Sequence, residues 1–145
     1  MPRAIKDEEL IVRSVRKGWI KKGQLQYSAF RPPAEVTVVS VLSGLLGEDF
    51  CKTKSKEICK DDYVGMASIR AEEIRALKAD VVDAPEDFDG HLHIDHINPP
   101  APSSNPLAPE LNKALNDRCK ALAKKARLSI DPAPEIDKWT GPILA

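Results

Sequence analysis

A chain of 145 residues, 42 % of them hydrophobic, is long enough to bury one ordinary core without disulfides or a structural metal. Lys plus Arg and Asp plus Glu number 22 each, so no global field draws the chain toward nucleic acid or an anionic membrane. No apolar run approaches a membrane span, and the N-terminus lacks the apolar core of a secretory signal. The three cysteines, an odd set, point to a reducing cytoplasm.

In chain order, Leu10–Val15 reads as a first strand, with a short helix from Asp7 as the alternative. Lys17 to Gly23 reads as a turn-rich connection. The alternation of Gln24–Phe30 suits an edge strand that Pro32-Pro33 ends. Residues 35–42 (EVTVVSVL) are dense in β-branched side chains with neither face strongly polar, so they predict a central strand covered on both sides. Glu48–Lys60 predicts a polar, Lys-rich helix resting on Phe50 and Ile58. Tyr63–Ile69 predicts a buried strand, and Arg70–Lys78 a helix facing inward through Ala71, Ile74 and Leu77. Short strands follow at Asp80–Asp83 and His91–Ile97. Residues 99–109, with five prolines and no charge, predict a semi-rigid linker. Beyond it a helix runs from Pro109 to residue 128 with a stripe of Leu111, Leu115, Cys119 and Leu122, stopped by Asp131-Pro132. The fold class is α+β: a small, largely antiparallel sheet with flanking helices, a Pro-rich arm and a C-terminal amphipathic helix. The organisation is a compact body over 1–98, a linker over 99–109, and a helix and tail over 110–145 that pack on the body or on a partner.

All three histidines fall in His91-Leu92-His93-Ile94-Asp95-His96. This H-x-H-x-D-H pattern resembles the zinc-binding signature of the metallo-β-lactamase fold. There it follows a long apolar strand and is completed by later ligands; here it follows an acidic turn and no histidine comes after it. A smaller site remains as an expectation: on a strand His91, His93 and Asp95 share one face and His96 the other, so these four could hold zinc or another divalent metal. No other cofactor is suggested. Cys51, Cys59 and Cys119 match no redox or zinc-knuckle spacing and read as buried thiols.

Charge is segregated. Residues 1–30 carry seven basic and three acidic side chains, 72–96 carry two and eight, and 110–128 carry six and two. Lys52, Lys54, Lys56 and Lys60 crowd one helix and Lys120, Lys124, Lys125 and Arg127 another. Without aromatic residues among them they read as solvated faces, so nucleic acid is not indicated as a partner.

Three stretches together are similar to a group of short, uncharacterised bacterial proteins: Ser28-Ala29-Phe30-Arg31-Pro32 leading into Val38–Val41, Tyr63–Ile69 with Glu73-Ile74-Arg75, and Val81–Pro85 through Gly90-His91. The resemblance covers about residues 27–95. It implies a bacterial cytoplasmic origin and an accessory role in a defence or mobile-element system, and of the histidines it carries only His91. The leading expectation is a non-enzymatic accessory protein that docks onto a larger bacterial partner in a phage-defence system. Its contacts would be Leu111, Leu115, Leu122, Lys124 and Lys125 on the last helix. The alternatives are a metal-dependent hydrolase built on His91, His93, Asp95 and His96, and a weak nucleic-acid binder.

Overall fold

The computed structural model describes residues 3–32, 38–95 and 109–145, with backbone alone at 109–112. The start of the strand expected at 35–42, the end of the one expected at 91–97, His96 and the Pro-rich segment up to residue 108 lie outside the described residues.

The described chain builds a six-stranded, antiparallel sheet flanked by helices. Its strands are β1 (Leu10–Arg16), β4 (Val38–Ser43), β5 (Tyr63–Arg70), β6 (Asp80–Asp83), β7 (His91–Asp95) and β8 (Arg127–Ile130), in the spatial order β6-β7-β4-β1-β5-β8. A separate two-stranded hairpin joins β2 (Ile20–Lys21) to β3 (Gln24–Leu25). The helices are α1 (Glu48–Cys59), α2 (Ala71–Ala76) and α3 (Pro109–Lys125).

Both faces of the sheet are apolar where helices cover it. On one face Ile11, Val39, Val41, Ile69, Leu92 and Ile94 meet Ile74 of α2 and Leu115, Cys119 and Leu122 of α3. On the other, Val12, Leu42 and Met66 meet Cys51 and Cys59 of α1 and Trp139 and Leu144 of the tail. The alternation along β1 sends successive side chains to opposite layers, so one strand organises both cores. Its pairing with β4 is registered only at Ile11↔Ser43 and Val12↔Leu42. Beyond them Arg13 bridges the diverging strand, donating from Nη1 to Ser40 O (2.9 Å) and from Nε to Ala29 O (2.7 Å).

Three elements depart from the expectations. The alternating run at 24–30 is a strand only at Gln24–Leu25. Tyr27–Phe30 is a 3-10 turn, because burying Ala29 and Phe30 under α3 outweighs extended pairing. α3 ends at Lys125 rather than at 128, and Arg127–Ile130 becomes an edge strand on β5. Gly65 makes that pairing possible, since a Cβ there would collide with the Ser129 carbonyl oxygen. On α1 it is Lys52, with Cys51, Ser55 and Cys59, that turns inward, while Ile58 is 37 % exposed.

Lys52 is fully buried because its ammonium is saturated. It contacts Asp131 Oδ2 (3.0 Å) and donates to Ala133 O (2.8 Å) and Lys138 O (2.8 Å). Asp131 accepts in addition from Tyr63 Oη (2.5 Å) and Ala133 N (2.9 Å). Burial alone would raise the Asp131 carboxyl, but these hydrogen bonds and the charge of Lys52 hold it below its ordinary value. The tail beyond is held by α1 carboxylates: Asp49 Oδ1 accepts from Trp139 N and Glu48 Oε2 from Leu144 N.

Removing one partner of a buried ion pair strands the other in a dry site at a cost of about 3–5 kcal/mol, whereas removing both costs less than the sum. Urea denaturation of Lys52→Met is therefore expected to show a loss of that size. Asp131→Asn is expected to be destabilising too, and the double variant less so than the two single losses added.

Candidate interaction site

The sequence leaves β4 through Ser43-Gly44-Leu45-Leu46-Gly47 before α1 begins. Ser43 Oγ accepts from Leu45 N (3.2 Å) and starts a 3-10 turn over Gly44–Leu46. This turn is fixed from three sides. Ser43 N donates to Gly90 O (2.8 Å), and Leu46 lies so close over Gly90 that a Cβ there would strike its side chain. Gly90 also has φ +90°, a backbone conformation that favours glycine.

The third support is a strap formed by residues 3–9. Glu9, only 5 % exposed, accepts from Ser43 Oγ (2.8 Å) and takes both guanidinium nitrogens of Arg3 at 2.8 and 2.7 Å. Burial pushes the Glu9 carboxyl up, but the Arg3 and Ser43 hydrogen bonds and the Arg3 charge more than offset it, so it stays below its ordinary value. The strap is tied at its ends as well: Arg3 N donates to Asp83 Oδ2 (2.9 Å), and Ala71 N and Glu72 N donate to Glu9 O and Asp7 O.

On this support Leu45 and Leu46 stand 69 % and 49 % exposed. An open groove of about 260 Å³ lies on one side, bounded by Asp83, Pro85 and Asp89. A second of about 620 Å³ lies on the other, bounded by Lys6, Glu8 and Arg70; both share Arg3 and Leu45. The result is a short apolar ridge between two hollows with charged rims, a shape suited to seating another surface.

The residues singled out from sequence are placed as follows. Leu115 and Leu122 are buried in the chain's own core, Lys124 and Lys125 are exposed, and the Leu111 side chain lies outside the described residues. His91 is buried, with Nδ1 at 3.0 Å from Ala84 O, and its ring meets that of His93 edge-on at 5.0 Å. Burial and the neighbouring His91 keep His93 below the usual histidine value. Asp95 is half-buried on the same strand, His96 lies outside the described residues, and among the described residues no three His, Cys, Asp or Glu side chains group to hold a metal. All three thiols are buried, and burial pushes Cys51 up to about 12 and Cys119 to about 11.

The ridge itself was not singled out from sequence, where Gly44 and Gly47 mark only a turn. Two adjacent leucines between glycines were the available signal. Comparison with protein-family models, with curated proteins and with solved structures found no match.

The Glu9 support carries a pH signature. A carboxyl whose folded value is depressed contributes stability above its unfolded value, and that contribution is lost as pH falls through the folded one. Stability measured by chemical denaturation should therefore drop on acidification through and below the ordinary carboxylate range. Glu9→Gln should be less stable at neutral pH and show a shallower acid-side slope; an unchanged slope would contradict the role given to Glu9.

Proposed function

We propose that the protein is a non-enzymatic interaction module that docks onto a larger protein partner through the Leu45–Leu46 ridge. The observation that carries this is the pairing of two exposed, adjacent leucines with a turn locked by buried hydrogen bonds to Glu9 and Gly90. Single exposed apolar residues are ordinary on any surface. A preorganised pair between grooves is different, because it gives up little conformational entropy on binding and desolvates a compact apolar area. The mixed rim of Arg3, Lys6, Arg70, Asp83 and Asp89 would add register and orientation. The partner surface that fits presents an apolar pocket with charges of both signs around it. The similarity of residues 27–95 to short bacterial proteins supports seeking that partner in a bacterial cytoplasm, in the setting of defence or mobile elements.

The test is site-specific photo-crosslinking from position 46 in the native host, compared with crosslinking from exposed Ile143 at another surface. One discrete adduct from position 46 alone, weakened at least about tenfold by Leu45→Asp while the thermal midpoint is kept, is the expected result. That loss corresponds to about 1.4 kcal/mol of binding. Equal adducts from both positions, or insensitivity to Leu45→Asp, would remove the ridge as a docking site.

A further inference from the structure

Between Glu9 and Glu35 the chain carries six cations (Arg13, Arg16, Lys17, Lys21, Lys22 and Arg31) and no acidic residue. The fold gathers this stretch and α3 on one side of the molecule. The 3-10 turn Tyr27–Phe30 packs under α3, with Cys119 Sγ donating to Phe30 O (3.2 Å), and Lys120 Nζ stands 5.8 Å from the centre of the Tyr27 ring. The Trp19 ring, half-buried, lies under Arg13 at 4.6 Å and Arg16 at 5.8 Å. The β2–β3 hairpin turns at Lys22-Gly23 with φ 54° and 75°, which puts two exposed lysines at its tip.

Most of these charges have no counter-ion among the described residues, the exception being Arg16, which meets Asp62 Oδ2 at 3.6 Å. None of Lys17, Lys21, Lys22, Arg31, Lys120 and Lys124 has an ion-pair partner among the described residues, whereas Arg3, Lys52, Arg75 and Arg127 all do. Acids concentrate in a different stretch, residues 72–96, which carry eight against two basic residues and build α2 and the strands β6 and β7, with β6 at one edge of the sheet. Zero net charge thus conceals a polarised surface. The aromatic residues missing from the lysine-rich helix in sequence are supplied from Tyr27, far away along the chain.

We propose that this surface binds single-stranded nucleic acid, with the lysines on the backbone phosphates and the 37 % exposed Tyr27 ring as a stacking platform for a base. Rings interleaved with cations match the alternation of base and phosphate in an unpaired strand, while a duplex hides its base faces from Tyr27. DNA and RNA strands offer the same chemistry to these groups, and the two arms of the test separate them.

Fluorescence anisotropy of the full chain with labelled oligodeoxythymidine and oligouridine reads the affinity. Saturable binding by either strand is expected. It should weaken roughly 20-fold between about 50 and about 200 mM salt if three phosphates are contacted. Tyr27→Ala should cost at least about fivefold in affinity with the salt slope kept, and Tyr27→Phe should retain binding. Lys21→Glu with Lys22→Glu should lower both affinity and slope, and Lys138→Glu, on the tail, should change neither. The proposal is overturned if neither oligonucleotide saturates at low salt, or if the lysine variants behave alike. It is equally overturned if Tyr27→Ala binds as well as Tyr27→Phe, or if vesicles of anionic phospholipid bind more tightly than either strand.

Discussion

The buried contact between Lys52 and Asp131 is the constraint on which much of the remaining structure depends. A charged pair without water is tolerated only when every donor and acceptor is used, and here the ammonium meets three oxygens while the carboxylate takes Tyr63, Ala133 and Lys52. Satisfying it requires α1, β5 and the tail after β8 to come together at one point. That point fixes the path of the tail, and the tail roofs the second core with Trp139 and Leu144. Because β8 immediately precedes Asp131, the same contact sets the register in which Arg127–Ile130 pairs with β5. The last helix is thereby drawn onto the other face, where Leu115, Cys119 and Leu122 fill the first core.

A sheet covered on both faces leaves function to its ends and edges. The polar locks sit there: Arg3, Glu9 and Ser43 under the β4–α1 turn, and Arg13 across the gap where β4 leaves β1. Burial pushes the Arg13 guanidinium down to about 10, and it still holds two main-chain carbonyls and one face of Trp19. Such anchors tie down the backbone of a turn, and a held turn can present side chains in one geometry. Both surfaces proposed for binding, the Leu45–Leu46 ridge and the cationic side around Tyr27, stand on anchors of this kind.

Legibility in the sequence followed the range of the interactions. Val38–Ser43 and Tyr63–Arg70 could be read because dense apolar runs bounded by turn residues make strands almost regardless of context. β8 could not: four residues directly after a helix carry too little pattern, and what makes them a strand is the edge that Gly65 leaves open on β5. Tyr27–Phe30 alternates like a strand but obeys α3 instead. Lys52 looked like one more lysine of a solvated face, since a carboxylate in the last segment of the chain gives no local signal. Likewise the cation at Lys120 and the ring at Tyr27 are unrelated in sequence and neighbours only in space. The histidines, conspicuous as a motif, are partly engaged in ordinary strand-end bonding through His91.

The central claim is that the C-terminal strand and tail are integral to one cooperative fold through the Lys52–Asp131 contact. Native-state amide hydrogen exchange tests it most directly. Trp139 N, Leu144 N and the amide of Ser129 should exchange only through global unfolding, with the same opening free energy as Val12 and Met66 in the central strands. Exchange at those three amides orders of magnitude faster than in β1 and β5 would mean that the tail opens independently, and would contradict the account.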